Sequence, residues 1–185
     1  YIDLQTAFGS DTAAATRHYI SSGYGEGRTD RTLLSTSQGW SYLASNGDLI
    51  AAFGANPDTA VTHYLSYGET EGRSTNSFDG YSYLASNSDL INVFGLDGDA
   101  ATQHYVANGY GEGRSLDTFD EWGYLASNND LLNVFSSDTT AAIEHYISFG
   151  MSEGRGTNGF NASSYIESYR DLQNAFGDNQ DLATK

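Results

Sequence analysis

Histidine followed by tyrosine occurs four times in this chain, at His18-Tyr19, His63-Tyr64, His104-Tyr105 and His145-Tyr146, spaced 45, 41 and 41 residues apart. The same interval separates Asp3, Asp48, Asp89, Asp130 and Asp171. It also separates Glu26, Glu71, Glu112 and Glu153, each two residues before an arginine: Arg28, Arg73, Arg114 and Arg155. Three chemistries are open to such a set. Histidine is the commonest metal ligand and titrates near neutral pH. Two carboxylates facing each other could hydrolyse a glycosidic bond. An arginine can clamp a carboxylate through parallel hydrogen bonds. The first two fit poorly. Zinc wants three or four nitrogen or sulfur donors, whereas each repeat offers one histidine, and four identical glycosidase sites in one short chain would be peculiar. The ladder Asp48, His63, Glu71, Arg73, Asp89, His104, Glu112, Arg114, Asp130, His145, Glu153 and Arg155 is therefore read as structural. Each histidine should pack in the core with its nitrogens bonded to the glutamate or to backbone. Each arginine should clamp the aspartate of its own or the next repeat, and a bridge between repeats would fix their rotation.

Aromatic residues offer a binding chemistry instead. Trp40, Tyr81 and Trp122 share one register position, and Tyr24 and Tyr110 share another. Flat rings stack on sugars, and repetition would add avidity; the competing role is a seam between repeats, where aromatics supply buried area. The seam is favoured over the glycan. No cofactor is expected, with calcium the one ion left open, although there is no EF-hand loop and no Gly-rich β-roll nonapeptide. Asp97-Gly98-Asp99 and Asn128-Asn129-Asp130 are oxygen-rich but suit helix capping. Gly23-x-Gly25-x-Gly27 follows a helical pattern rather than a strand, so it is no phosphate loop.

The elements that must position these residues repeat as well. Asp79 is a good N-cap for a helix over 80–85. Phe78 before the cap and Tyr83 inside form a hydrophobic staple, repeated as Phe119 with Tyr124 and Phe160 with Tyr165. Ser86 and Asp89 read as a capping box for a second helix, as do Ser45/Asp48, Ser127/Asp130 and Ser168/Asp171. That helix carries Leu90, Ile91 and Phe94 inward and stops at Gly95, as at Gly9, Gly54 and Gly177, with Ser136 the exception. Asp97 then caps a third helix; Asp11, Asn56, Asp138 and Asn179 match it, and Pro57 sits in the tolerant first turn. Ala101, Tyr105 and Val106 form its apolar stripe, and Gly109, like Gly23, Gly68 and Gly150, ends it. No segment alternates as a strand would. The fold class expected is all-α, a tandem array with three short helices per unit of about 41 residues, a period that marks modular repeats. The units are 38–78, 79–119 and 120–160, flanked by partial repeats at 1–37 and 161–185. Each is too small to hold a core alone. The partial ends suggest a length taken from a longer array.

Composition narrows the partners. Twenty-four acidic residues face seven arginines and Lys185, for a net charge of −16. Such a surface repels phosphate backbones, so nucleic acid is excluded as a partner. No run of 18 apolar residues is long enough to insert into a membrane, and no signal peptide opens the chain. Cysteine is absent, against a small disulfide-stapled eukaryotic module. The sequon Asn161-Ala162-Ser163 is in register with Asp79 and Asp120, so Asn161 reads as a cap.

The pattern Tyr-Leu-Ala-Ser-Asn-x-Asp-Leu, Phe-Gly, Ala-x-x-His-Tyr, Gly-x-x-Glu-Gly-Arg resembles tandem modules of large acidic bacterial surface proteins, among them S-layer and adhesin-like chains often exported by type I secretion. The resemblance covers essentially the whole chain, with a four-residue insertion between Arg28 and Trp40, and implies an extracellular or cell-surface location. The expected function is a non-enzymatic structural segment of a layer, sheath, filament or adhesin scaffold. Its partners would be other copies or further repeats of the same protein. The alternative is a multivalent module for cell-surface glycan.

Overall fold

The computed structural model describes residues 2–26 and 35–176, and all described secondary structure is helical. Arg28, Gly177 and Asn179 lie outside the described residues. The helices recur in threes. The first unit segment holds α1 (Ile2–Phe8) and α2 (Thr12–His18). The next holds α3 (Thr36–Ala44), α4 (Gly47–Phe53) and α5 (Pro57–His63). Then come α6 (Gly80–Ser86), α7 (Ser88–Phe94) and α8 (Gly98–His104), with a short turn α9 (Tyr110–Glu112). The last are α10 (Glu121–Ser127), α11 (Asn129–Phe135) and α12 (Thr139–His145), followed by α13 (Ala162–Ser168) and α14 (Arg170–Phe176).

Local capping sets where the first and third helices begin. The Asp79 carboxylate accepts from Tyr81 N and Ser82 N, and Asp120 accepts from Gly123 N. Asp11, Asn56, Asp97 and Asp138 each accept from the amide three residues on. These bonds satisfy amides that an isolated helix start leaves orphaned. Asn161 does the same for Ser164 N, as its register implied. Each staple closes too, with ring centroids 5.6 Å apart for Phe78–Tyr83 and Phe119–Tyr124 and 5.5 Å for Phe160–Tyr165.

Two expectations fail. The second helices have no serine capping box: α7 is preceded by Asn87, whose side chain makes no cap bond. The Ser86 hydroxyl instead accepts from Thr118 N and Phe119 N, more than thirty residues away. Ser45 and Ser127 act likewise on Ser77–Phe78 and Gly159–Phe160. Asn87 Nδ2 donates to Tyr83 O and Ser115 O, and Asn46 and Asn128 repeat the bridge. The Ser-Asn pair thus ties the closing loop of each unit to its own first helix.

The third helix also does not stop at Gly109. It widens into a π turn over Tyr105–Gly109, and matching turns follow α2, α5 and α12. The chain stays right-handed helical at Gly109 and reaches positive φ at Gly113 (φ 68). Gly109 is required for another reason. The fully buried Tyr83 points its hydroxyl at this backbone, and a Cβ here would collide with it. Gly68 meets Tyr42 and Gly150 meets Tyr124 in the same way.

The units stack through one rule. The third helix α8 packs on its own first helix α6 and on the preceding first helix α3; α12 packs on α10 and on α6. Tyr42, Leu43, Tyr83 and Leu84 are fully buried, and Ile143 and Ile147 of the third complete unit join the same core cluster. Buried apolar packing therefore crosses unit borders, as a solenoid needs when no unit can bury its face alone, while Tyr124, Leu125, Leu131 and Ala142 form a second cluster that shares Phe119 and Tyr146 with the first. Among the described residues no buried side-chain nitrogen or oxygen lacks a partner.

Candidate functional site

The residues with chemical potential form, in each complete unit, two separately bonded groups. The Tyr83 hydroxyl lies 3.0 Å from His104 Nδ1; the matching pairs are Tyr42–His63 at 3.0 Å and Tyr124–His145 at 2.8 Å. The histidine bonds a tyrosine of the first helix, rather than the glutamate or backbone expected of it. Its ring leans on the last residue of the second helix, 5.3 Å from Phe53, 5.4 Å from Phe94 and 5.6 Å from Phe135 between centroids. One histidine thereby joins all three helices of its unit.

Burial raises the tyrosine pKa, because a phenolate would be stranded away from water. It pushes Tyr83 and Tyr124 up to about 12 and raises Tyr42 as well. The phenol keeps its proton at neutral pH and can donate it to Nδ1.

Beside this pair stands the Arg–Asp–Glu group. Arg114 Nε donates to Glu112 Oε2 and its Nη1 to Asp89 Oδ1 at 2.9 Å. Arg73 with Glu71 and Asp48, and Arg155 with Glu153 and Asp130, repeat it. The bridge lies inside one unit, spanning 25 residues from second helix to closing hook, so it does not set the rotation between units. The arginine also divides itself between two carboxylates instead of gripping one with a parallel pair of bonds. The bonds to glutamate and then aspartate raise the pKa of all three arginines, and the Arg155 hydrogen bond lowers that of Asp130. The aspartates are about 62–63% exposed, so water screens these pairs heavily.

The aromatic candidates divide. Trp40 and Tyr81 are half-buried and pack against the larger of the two apolar clusters; Trp122 is half-buried too. Tyr110 lies across the unit border against Gly47, where a Cβ would sit 2.8 Å from its ring, and makes an edge contact with Tyr105 at 6.2 Å. Tyr24 is largely exposed. A groove of about 610 Å³ lies at the border of the first two complete units, between Ser41 and Tyr81 with Asn76, Asp79, Asp97 and Asp99 on its walls. Among the described residues no group of three His, Asp or Glu side chains is arranged to hold a metal ion. No described helix is long and apolar enough to cross a membrane.

Sequence reasoning missed three participants: the Tyr42, Tyr83 and Tyr124 hydroxyls as histidine partners, the Ser-Asn ties, and the glycines facing the tyrosines. A signal was present, since Tyr-Leu-Ala-Ser-Asn stands unchanged at 42–46, 83–87 and 124–128. Comparison with protein-family models, characterised proteins and solved structures finds no match to the chain. What stands on its own geometry is a helical repeat protein with a period of about 41 residues.

Proposed function

We propose that the chain is a non-enzymatic structural repeat segment of a secreted or cell-surface bacterial protein, a scaffold for a layer, sheath, filament or adhesin. One observation carries the reading. In all three complete units the histidine is bonded to the tyrosine, and the arginine to its two carboxylates, in the same way. A catalytic site needs a group held in readiness for substrate; here the same groups close each unit. The acidic surface keeps a long array soluble, and its resemblance to bacterial surface modules supports the location. Labelling intact cells of the source with an antibody to residues 79–119 tests the location. Signal before lysis is expected, and signal only after lysis contradicts it.

Glycan binding is the second reading, favoured by the groove at Tyr81, where an aromatic ring stands among carboxylate and amide acceptors. Titration with a panel of neutral oligosaccharides should then give binding that Tyr81→Ala abolishes. Saturation indifferent to that change would remove Tyr81 from consideration.

A further inference from the structure

We infer that Asn158 is a self-modification site, converted without an enzyme to aspartate and isoaspartate, and that the isoaspartyl form loosens the closing loop of the third complete unit. The inference stands apart from the scaffold reading, because it rests on backbone chemistry alone. In an Asn-Gly pair the glycine nitrogen can reach the asparagine Cγ, since no side chain on the glycine shields it. The new N–Cγ bond closes a succinimide ring, the Cγ–Nδ2 bond breaks, and ammonia leaves with the proton of the glycine amide. Water then opens the ring at either carbonyl. One opening leaves aspartate; the other leaves isoaspartate, in which the main chain runs through Cβ and gains one carbon. The sum is one water consumed and one ammonia released.

The chain has three such pairs, Asn46-Gly47, Asn108-Gly109 and Asn158-Gly159, and the fold treats them differently. Both amide hydrogens of Asn46 are engaged: Nδ2 donates to Tyr42 O and Ser74 O at 2.8 Å each, and the residue is half-buried. Asn108 lies inside the π turn Tyr105–Gly109, where helical bonds fix the backbone and keep the glycine nitrogen from swinging onto Cγ. Asn158 and Gly159 are exposed and outside any helix, and no partner among the described residues holds the Asn158 carboxamide. The bond from Gly159 N to Ser127 Oγ, 2.8 Å, must open before attack; a hydrogen bond in an exposed loop opens readily.

The other units supply internal controls. Asn158 is in register with Asn76 and Asp117. Asn76 precedes Ser77, whose side chain shields the attacking nitrogen. Asp117 shows that a plain carboxylate fits, since Thr118 N and Phe119 N still donate to Ser86 Oγ. Aspartate at 158 should therefore leave the matching bonds from Gly159 N and Phe160 N to Ser127 intact. An extra main-chain carbon at 158 shifts both amides, and Phe160 is the staple residue that packs on Tyr165 of α13.

Ageing the 185-residue chain in mildly alkaline buffer tests this. Cleavage after arginine places the three pairs on separate peptides, 32–73, 74–114 and 156–170, and fragment masses locate each exchange of an amide for an acid. Asn158 should convert several-fold faster than Asn46 and Asn108, and an isoaspartate methyltransferase should label the 156–170 peptide. In guanidinium, where the fold is lost, the three rates should converge. Asn158→Asp should match the fresh parent in helicity and urea midpoint, while the aged isoaspartyl chain should unfold at lower urea. Asn158→Gln should stop both the labelling and the fall in midpoint. An Asn158 that stays intact while the unfolded chain reacts, or Asn46 or Asn108 converting as fast in the folded chain, would overturn the site. An aged midpoint equal to that of Asn158→Asp would overturn the loosening.

Discussion

Alanine at Gly109 should destabilise the array, although glycine to alanine inside a helix ordinarily stabilises by up to about 1 kcal/mol. The added Cβ collides with the hydroxyl of Tyr83 and comes 3.2 Å from its Cζ. Tyr83 is fully buried and cannot swing aside. Overpacking of a tight core costs about 1–3 kcal/mol, and a displaced hydroxyl also forfeits its bond to His104, worth about 0.5–1.5 kcal/mol. After the helix-propensity gain, Gly109→Ala should cost about 1–3 kcal/mol, combining those terms. Tyr83→Phe alone should cost about 1 kcal/mol, the loss of one hydrogen bond to a half-buried partner. The double variant is the informative one, because removing the hydroxyl relieves much of the collision. It should lie closer to Tyr83→Phe than the sum of the singles, with a coupling of about 1 kcal/mol or more. Urea unfolding followed by circular dichroism measures all three, with coincident fluorescence curves checking that the array unfolds as one unit. Stabilisation by Gly109→Ala, or additive singles, would falsify the claim that the tyrosine hydroxyl dictates glycine here.

Three further expectations rest on other parts of each unit. Ser136 holds φ 54, where the equivalent Gly9, Gly54 and Gly95 have φ 54, 60 and 55. A side chain in this region costs about 1–3 kcal/mol, so Ser136→Gly should raise the urea midpoint, and an unchanged or lowered midpoint contradicts the strain. Tyr83 and Tyr124 have folded pKa values of about 12 against about 10 for a free phenol. Their contribution to stability is complete below pH about 10 and is lost as pH rises through about 12. Phenolate absorbance should therefore rise together with loss of helix in that window, and full tyrosine ionisation at pH about 10 with helix intact would count against burial as the cause. Arg114→Ala should cost less than Tyr83→Phe and lose its effect at high salt, since its bridge is intra-unit and water-exposed. A larger, salt-independent loss would restore a role for the arginine between units.

How much was legible in the sequence follows the range of each interaction. The caps at Asp79, Asp97, Asp138 and Asn161 bond amides two or three residues away, and the staples join residues five apart, so residue type and spacing were enough. The stop at Gly95 was equally local. Ser86 is ambiguous in the sequence because it has two candidate partners: its own helix start, or Thr118 and Phe119 brought near by the fold. Only the folded unit decides between them. Gly109 resembles a stop signal because glycine carries that meaning elsewhere in the chain; its actual constraint comes from Tyr83, 26 positions earlier. The Arg–Asp pair was recognised, but spacing alone left open whether it closed within a unit or between units. Trp40 and Tyr81 are half-buried against the core, a placement that residue type alone did not reveal.

The central claim is that 41 residues form one interchangeable unit, whose chemistry-bearing side chains hold it together. Deleting residues 79–119 places Phe78 directly before Asp120, which repeats the Phe119–Asp120 junction. Circular dichroism and urea unfolding of that variant, beside one lacking residues 79–98, test the claim most directly. The account predicts that the whole-unit deletion keeps the helicity per residue and the cooperativity of the parent. The partial deletion, which removes α6, α7 and the Asp97–Gly98 start of α8 and leaves the rest of α8 without its own first helix, should lose both. Equal collapse of the two variants, or equal survival, would contradict it.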